Sequence, residues 1–271
     1  MSDTYLELAN SALGKKLFSA MGLPEPVALR REDPKQPHNL SGQVLVGASL
    51  GALFAEQIGS FLQSTSMQVS DPQVTEKRDL IYDASGIATA EQSTELYNFF
   101  HQQVKSLPAC GRVIVIGLKP SAAPNSEQGA VQRGLHGFIK SLAKEIGRNG
   151  STANLLMVEK GGDAAIEAPI RFLLSAGSAF MNAQILTATT PVAAMEADWQ
   201  RPLQGKTLVV TGAARGIGLA IAEVLTRDGA TVIGVDVPQA EAELKATMTR
   251  LGGLALPLDI TSDGAATILR D

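Results

Sequence analysis

The amino-acid sequence predicts an α/β protein with parallel sheets covered by helices on both faces, and it carries that pattern twice. Short apolar runs alternate with longer stretches whose apolar residues lie three and four positions apart. This alternation is typical of buried parallel strands joined by crossover helices. Residues 191–205, with two prolines, mixed charges and the only tryptophan, interrupt the alternation. They therefore mark the predicted boundary between two domains.

The predicted strands are apolar along most of their length, as expected for strands buried on both faces. Their ranges are 43–49, 80–85, 112–118 and 153–158 before the boundary, and 207–212, 231–236 and 254–261 after it. Residues 91–107 and 134–147 show the clearest helical spacing. We therefore expect a first domain over residues 1–192, a linker over 193–205 and a second domain over 206–271.

Composition argues against several classes of function. The 23 basic and 27 acidic side chains give a net charge of −4 without a cluster of five like charges, so no nucleic-acid partner is expected. The first residues lack a signal-peptide pattern and no apolar run reaches eighteen residues, which predicts a cytoplasmic protein without a membrane segment. Cys110 is the only cysteine, and His38, His101 and His136 lack metal-ligand spacing. Neither a disulfide nor a metal site is expected.

A glycine-rich turn, "TGAARGIG", follows the strand predicted at 207–212 and directly precedes a predicted helix. Gly212 permits the tight exit from the strand, Gly216 lets the backbone approach a pyrophosphate, and Gly218 lets helix and strand pack closely. The phosphates would face the helix N-terminus. Glycine turns also serve ordinary strand–helix corners, but the flanking elements favour a Rossmann-like nucleotide site.

The end of the next strand predicts the preferred cofactor. Asp236 lies eighteen residues beyond Gly218, where its carboxylate can accept hydrogen bonds from both ribose hydroxyls and would repel a 2′-phosphate. We therefore expect NAD(H) to be preferred over NADP(H). Arg215, inside the turn, can instead pair with a 2′-phosphate or face the pyrophosphate or solvent. A helix cap is the alternative role for Asp236, with Pro238 at the first helical position.

Another acidic residue lies near the end of the third predicted strand of this region. Asp259 is placed to contact the adenine amino group, with Ile260 packing beside it. A turn cap is the competing interpretation of Asp259.

The segment "GKTLVVTGAARGIGLAIAEVLTRDGATVIGVD", followed by "LDIT", resembles the first third of a short-chain dehydrogenase/reductase. The resemblance covers residues 205–271 and implies hydride transfer with NAD(H) or NADP(H). The cofactor contacts are expected from Gly212, Arg215, Gly216, Ile217, Gly218, Asp236, Asp259 and Ile260. The family's catalytic Ser, Tyr and Lys are expected beyond Asp271. We therefore expect a fragment of a longer enzyme that is inactive alone.

Residues 111–156 resemble a later part of the same family, in a degenerate form. In this register Gln128 takes the position of the catalytic tyrosine, Gln132 that of the lysine, and Leu118 lies near that of the serine. Amides and leucine cannot supply the acid–base chemistry of those residues. The resemblance therefore implies a first domain without catalytic function.

The first domain also carries a damaged glycine turn. It retains Gly47 and Gly51, but Phe54 stands where a close backbone approach is needed, and residues 82–87 replace the family's asparagine-rich element. No dinucleotide is expected here. The fold class is thus α/β, with Rossmann-like doubly wound parallel sheets: a degenerate N-terminal copy, then the first part of an intact copy.

The order of these domains, together with "LPEPVALRR" at 23–31, resembles the bacterial high-molecular-weight 3-oxoacyl-(acyl carrier protein) reductases. The resemblance implies NADH-linked reduction of 3-oxoacyl thioesters, on acyl carrier protein or coenzyme A, in fatty acid metabolism. It also implies a homodimer, with the first domain aiding dimerisation and substrate access. Another ketone or alcohol substrate, or a non-catalytic nucleotide-responsive scaffold, remains an alternative.

Overall fold

The computed structural model describes residues 4–22, 26–33, 39–71, 73, 79–191 and 198–270. The chain forms two compact units, Met1–Ala193 and Ala194–Asp271. Three predicted features lie wholly or partly outside the described residues: His38, the first three residues of "LPEPVALRR", and positions 193–197 of the predicted linker.

The first unit contains a six-stranded parallel sheet in the order β2-β1-β3-β4-β5-β6. Its strands are β1 (Ser41–Ala48), β2 (Ser66–Val69), β3 (Asp79–Asp83), β4 (Arg112–Leu118), β5 (Thr152–Val158) and β6 (Ile185–Ala188). Its helices are α1 (Thr4–Asn10), α2 (Ala12–Ala20), α3 (Ala55–Gln63), α4 (Ser93–Gln103), α5 (Ser126–Ile146) and α6 (Glu167–Leu174). The chain leaves β1 toward β2 on one side and returns to β3 on the other, which creates a crevice at the carboxyl ends of β1 and β3.

Both faces of this sheet are buried because successive side chains of a strand point to opposite sides. In the central strand β4, Ile114 and Ile116 pack with helices α3 and α6 on one face. Val113 and Val115 pack with α4 and α5 on the other. The continuous apolar run of β4 is therefore explained by helices on both sides, and the doubly wound α/β architecture is confirmed.

The second unit contains a three-stranded parallel sheet in the order β7-β8-β9. Its elements are β7 (Thr207–Thr211), α7 (Gly216–Arg227), β8 (Thr231–Asp236), α8 (Glu241–Leu251), β9 (Leu254–Pro257) and α9 (Ala265–Arg270). The core of this unit joins Val210 and Val232 of the sheet to Ala222, Leu244 and Met248 of the helices.

The element boundaries differ from prediction at several places. The short strands β2 and β6 have no long apolar run, and the sequence pattern missed both. Helix α5 begins at Ser126, before the predicted range of 134–147, because the Asn125 side chain accepts a hydrogen bond from the Gln128 N–H and caps it. Strand β9 ends at Pro257 rather than continuing to residue 261.

None of the helices in the described residues is long and apolar enough to span a membrane. Among the same residues, no group of three or more His, Cys, Asp or Glu side chains is arranged to hold a metal ion.

Candidate functional site

The glycine turn of the second unit connects β7 to α7. Gly212 has φ +68° and Gly216 has φ +60°, a left-handed conformation that favours glycine. A Cβ at either position would meet no atom within 4 Å, so the space beside the turn is open. At Gly218, in contrast, a Cβ would lie 2.0 Å from the Gly212 carbonyl oxygen. Only glycine at 218 lets the helix pass this close to the turn.

The N-terminus of α7 opens onto this turn. Arg215 is the N-cap residue with an extended backbone, and no side chain caps the helix. The first N–H groups of a helix have no partner within it. Gly216 and Ile217, which begin α7, are exposed, Ile217 to 82%. The positive end of the helix dipole is therefore accessible to an anion such as a phosphate.

Asp236 is anchored beside the same turn. Its Oδ2 atom accepts the Ala214 N–H at 3.0 Å, and its Oδ1 atom accepts the Val237 N–H at 2.9 Å. The short 3₁₀ helix that follows begins at Pro238, and its N-cap is Val237, without a side-chain cap. The carboxylate is thus fixed against the glycine turn, and each oxygen retains capacity to accept another hydrogen bond.

Asp259 lies in the turn after β9. Its Oδ1 atom accepts hydrogen bonds from the Thr261 hydroxyl at 2.7 Å and the Thr261 N–H at 2.9 Å. The hydroxyl bond, followed by the backbone bond, lowers the pKa of the Asp259 carboxyl below its ordinary value. These bonds match the turn-cap alternative. The adenine contact of Asp259 and of the exposed Ile260 stays a prediction.

Arg215 has an ionic neighbour that the sequence pattern did not indicate. Its Nη1 atom lies 3.9 Å from Oε2 of Glu243, in the first turn of α8. The acidic residue is 28 positions along the chain, so no local spacing rule connects the two. The guanidinium therefore extends from the glycine turn toward α8.

The corresponding turn of the first unit is closed by its own side chains. Three of its N–H groups donate hydrogen bonds of 2.8 Å: Leu50 to Glu95 Oε2, Leu53 to Ser85 Oγ, and Phe54 to Asp83 Oδ2. Asp83, Ser85 and Phe54 are buried. A Cβ on Gly86 would lie 2.2 Å from the Leu50 carbonyl oxygen, so residues 82–87 pack directly on the turn. The backbone donors that a phosphate would require are already occupied.

The two glutamines on α5 hold backbone groups instead of supplying chemistry. Gln132, fully buried, bonds three of them: Nε2 donates to the carbonyls of Ala84 and Ile87 at 2.9 Å each, and Oε1 accepts the Leu118 N–H at 2.8 Å. Gln128 donates from Nε2 to the Ser85 carbonyl at 3.3 Å. These contacts tie α5 to the ends of β3 and β4. Their structural role was not evident from the sequence.

Comparison with known proteins places the family resemblance in the second unit. Residues 206–268 match the family described as short chain dehydrogenase.

Three relatives illustrate the identity and the coverage of such matches. The chain is 48% identical to a 3-oxoacyl-[acyl-carrier-protein] reductase FabG of Pseudomonas aeruginosa over 64 residues, 22% of this chain and 26% of that protein. It is 40% identical to fluoren-9-ol dehydrogenase of Terrabacter sp. over 76 residues, 27% of this chain and 21% of that protein. It is 35% identical to 3-hydroxyacyl-CoA dehydrogenase type-2 of Bos taurus over 75 residues, 26% of this chain and 29% of that protein. The chain thus spans between 21% and 29% of the length of these relatives.

A solved structure also aligns with the chain. A short-chain dehydrogenase/reductase of Serratia marcescens matches with a TM-score of 0.44 and 13% sequence identity, over 56% of this chain and 98% of that one.

Proposed function

We propose that the second unit binds NAD(H) at its glycine turn and that it serves an oxidoreductase of the short-chain dehydrogenase/reductase type. One observation carries the proposal: the uncapped N-terminus of α7 opens onto an unobstructed glycine turn, and the Asp236 carboxylate is fixed beside it. A pyrophosphate would meet the positive end of α7, and a ribose would meet Asp236. The family match over residues 206–268 supports the same proposal.

The residues fit this cofactor. Gly212 and Gly216 leave space beside the turn, where a larger residue would project a Cβ. The N–H groups at the start of α7, from Gly216 to Gly218, are proposed to hold the phosphates. The cofactor, when bound, supplies the hydride. Asp259 uses Oδ1 for Thr261, and we propose that Oδ2 accepts from the adenine amino group, with Ile260 against the ring.

The proposed preference for NAD(H) follows from charge. With NADH, the Asp236 carboxylate would accept hydrogen bonds from the ribose hydroxyls, whereas with NADPH it would face the negative charge of the 2′-phosphate. We expect the binding free energies of NADH and NADPH to differ by about 3 kcal/mol, which is roughly a hundredfold in affinity. Because Ala214 holds Asp236 through Oδ2, the carboxylate cannot turn away without losing a hydrogen bond.

The proposed substrate is a 3-oxoacyl thioester of acyl carrier protein or coenzyme A, reduced by a cytoplasmic homodimer. The similarity to the 3-oxoacyl-[acyl-carrier-protein] reductase FabG of Pseudomonas aeruginosa supports this substrate. The fluoren-9-ol dehydrogenase match supports the alternative of another ketone or alcohol. We propose that the first unit contributes contacts rather than chemistry, which is supported by the structural roles of Gln128 and Gln132.

Calorimetric titration of NADH and NADPH tests the cofactor proposal. The unmutated chain is expected to bind NADH more tightly. Asp236→Ala should weaken the binding of NADH and strengthen that of NADPH. Asp236→Asn should reduce the difference between the two affinities while it retains an oxygen that accepts the Ala214 N–H. Asp263→Asn, at an exposed acidic residue of the same unit, is the control and should change neither affinity. Equal or tighter NADPH binding by the unmutated chain would refute the role of Asp236.

A further inference from the structure

Three charged residues lie near the proposed ribose site: Arg215 in the glycine turn, Asp236 at the end of β8 and Glu243 in the first turn of α8. Asp236 ends β8 and is bound to the N–H of Ala214. Arg215, the next residue along the turn, reaches from the N-cap of α7 to within 3.9 Å of Glu243. The basic side chain of Arg215 therefore lies near Glu243, and its backbone directly follows Ala214, whose N–H binds Asp236.

The ion pair between Arg215 and Glu243 is exposed. The Arg215 side chain is 81% accessible and that of Glu243 59%. An exposed pair at this distance is weak, because solvent and salt screen it. Glu243 therefore biases the position of the guanidinium without locking it.

We propose that Glu243 is a positioning residue for cofactor choice: it draws the Arg215 guanidinium toward α8 and so withholds it from a 2′-phosphate. This inference rests on the proposed nucleotide site. Asp236 acts on the ribose directly, whereas Glu243 acts through Arg215. The two acidic residues thus disfavour NADP(H) by separate routes.

The consequence of removing the Glu243 charge follows from this arrangement. In Glu243→Gln, Arg215 is free to make the two parallel hydrogen bonds that a guanidinium forms with a phosphate. Affinity for a 2′-phosphorylated ligand should rise about fivefold, in keeping with the strength of an exposed ion pair. Affinity for the same ligand without the 2′-phosphate should change by less than about twofold.

ADP-ribose and 2′-phospho-ADP-ribose are suitable probes, since both carry the pyrophosphate and only one carries the 2′-phosphate. Both are titrated calorimetrically against the full chain and its variants. The matched control is Glu241→Gln, in the same first turn of α8, whose carboxylate pairs with Lys245 instead. The expected gain for 2′-phospho-ADP-ribose appears in Glu243→Gln alone. It disappears when Arg215→Gln is added, and it shrinks at high salt.

The outcomes separate the inference from the proposed function. If neither ligand binds the unmutated chain, the proposed nucleotide site is wrong and the inference falls with it. If ADP-ribose binds but Glu243→Gln and Glu241→Gln give the same selectivity, only the inference is overturned. A gain that persists in the double variant with Arg215→Gln also overturns it, because the effect would then not act through the guanidinium.

Discussion

Replacing Gln132 with leucine tests whether its hydrogen bonds stabilise the first unit. Gln132 is fully buried, and its amide bonds the carbonyls of Ala84 and Ile87 and the N–H of Leu118. Leucine fills a similar volume but bonds none of these groups. The Ile87 carbonyl and the Leu118 N–H would thus lose this partner, while the Ala84 carbonyl would keep its hydrogen bond from the Ile87 N–H.

The expected cost follows from the two groups left without a partner. An unpaired buried polar group costs about 1–3 kcal/mol. Taking about 2 kcal/mol for each, and allowing about 1 kcal/mol for the apolar area that leucine adds, Gln132→Leu should lower the free energy of unfolding by about 3 kcal/mol. Gln102→Leu, on the exposed surface of α4, is the control and should change it by less than about 0.5 kcal/mol.

Urea denaturation with two probes measures the effect. The single tryptophan, Trp199, belongs to the second unit, so its fluorescence follows that unit, while far-UV circular dichroism follows the helices of both. Gln132→Leu should shift the circular dichroism transition and leave the tryptophan transition in place, because all its bonds lie within the first unit. A cost no larger than that of the control would refute the reasoning.

Two further predictions concern glycine packing and pH. Gly218→Ala should abolish ADP-ribose binding measured calorimetrically, since its Cβ would lie 2.0 Å from the Gly212 carbonyl oxygen. Intact binding in this variant would contradict the close approach of the helix to the turn. Gly134→Ala, in contrast, has open space on α5 and should stabilise the chain by about 0.5–1 kcal/mol in urea denaturation. Burial raises the pKa of the Asp79 carboxyl above its ordinary value of 3.8, although it accepts the Arg112 N–H. The contribution of Asp79 to stability is complete below the unfolded pKa and is lost as the pH rises through the folded pKa. Asp79→Asn should therefore gain stability relative to the unmutated chain as the pH rises above the ordinary carboxyl value of 3.8, and a difference in urea midpoints that stays constant with pH would argue against this.

The architecture was predictable because its signals are local. Buried parallel strands must be apolar on both faces, and the run 112–118 coincides with β4. The edge strands β2 and β6, four residues each, carry no such run because fewer of their side chains are buried. Their positions depend on pairing with β1 and β5, which is a property of the folded sheet.

The candidate site was predictable only where spacing encodes it. The glycine turn and Asp236 follow from a strand–turn–helix pattern. The closure of the first turn by Asp83 and Glu95 joins residues 29 and 45 positions apart, and no periodicity links them. The partner of Arg215, Glu243, was missed for the same reason. Gln132 was identified as unable to do acid–base chemistry, but its three backbone bonds are visible only in the fold.

The central claim is that nucleotide binds at the open turn of the second unit and not at the closed turn of the first. Nuclear magnetic resonance of the chain labelled with ¹⁵N-glycine tests it, with resonances assigned by single Gly→Ala variants. On titration with NADH, the amides of Gly212, Gly216 and Gly218 should shift, while those of Gly47 and Gly51 stay in place. Shifts at Gly47 and Gly51, or unshifted amides at the second turn, would contradict the account.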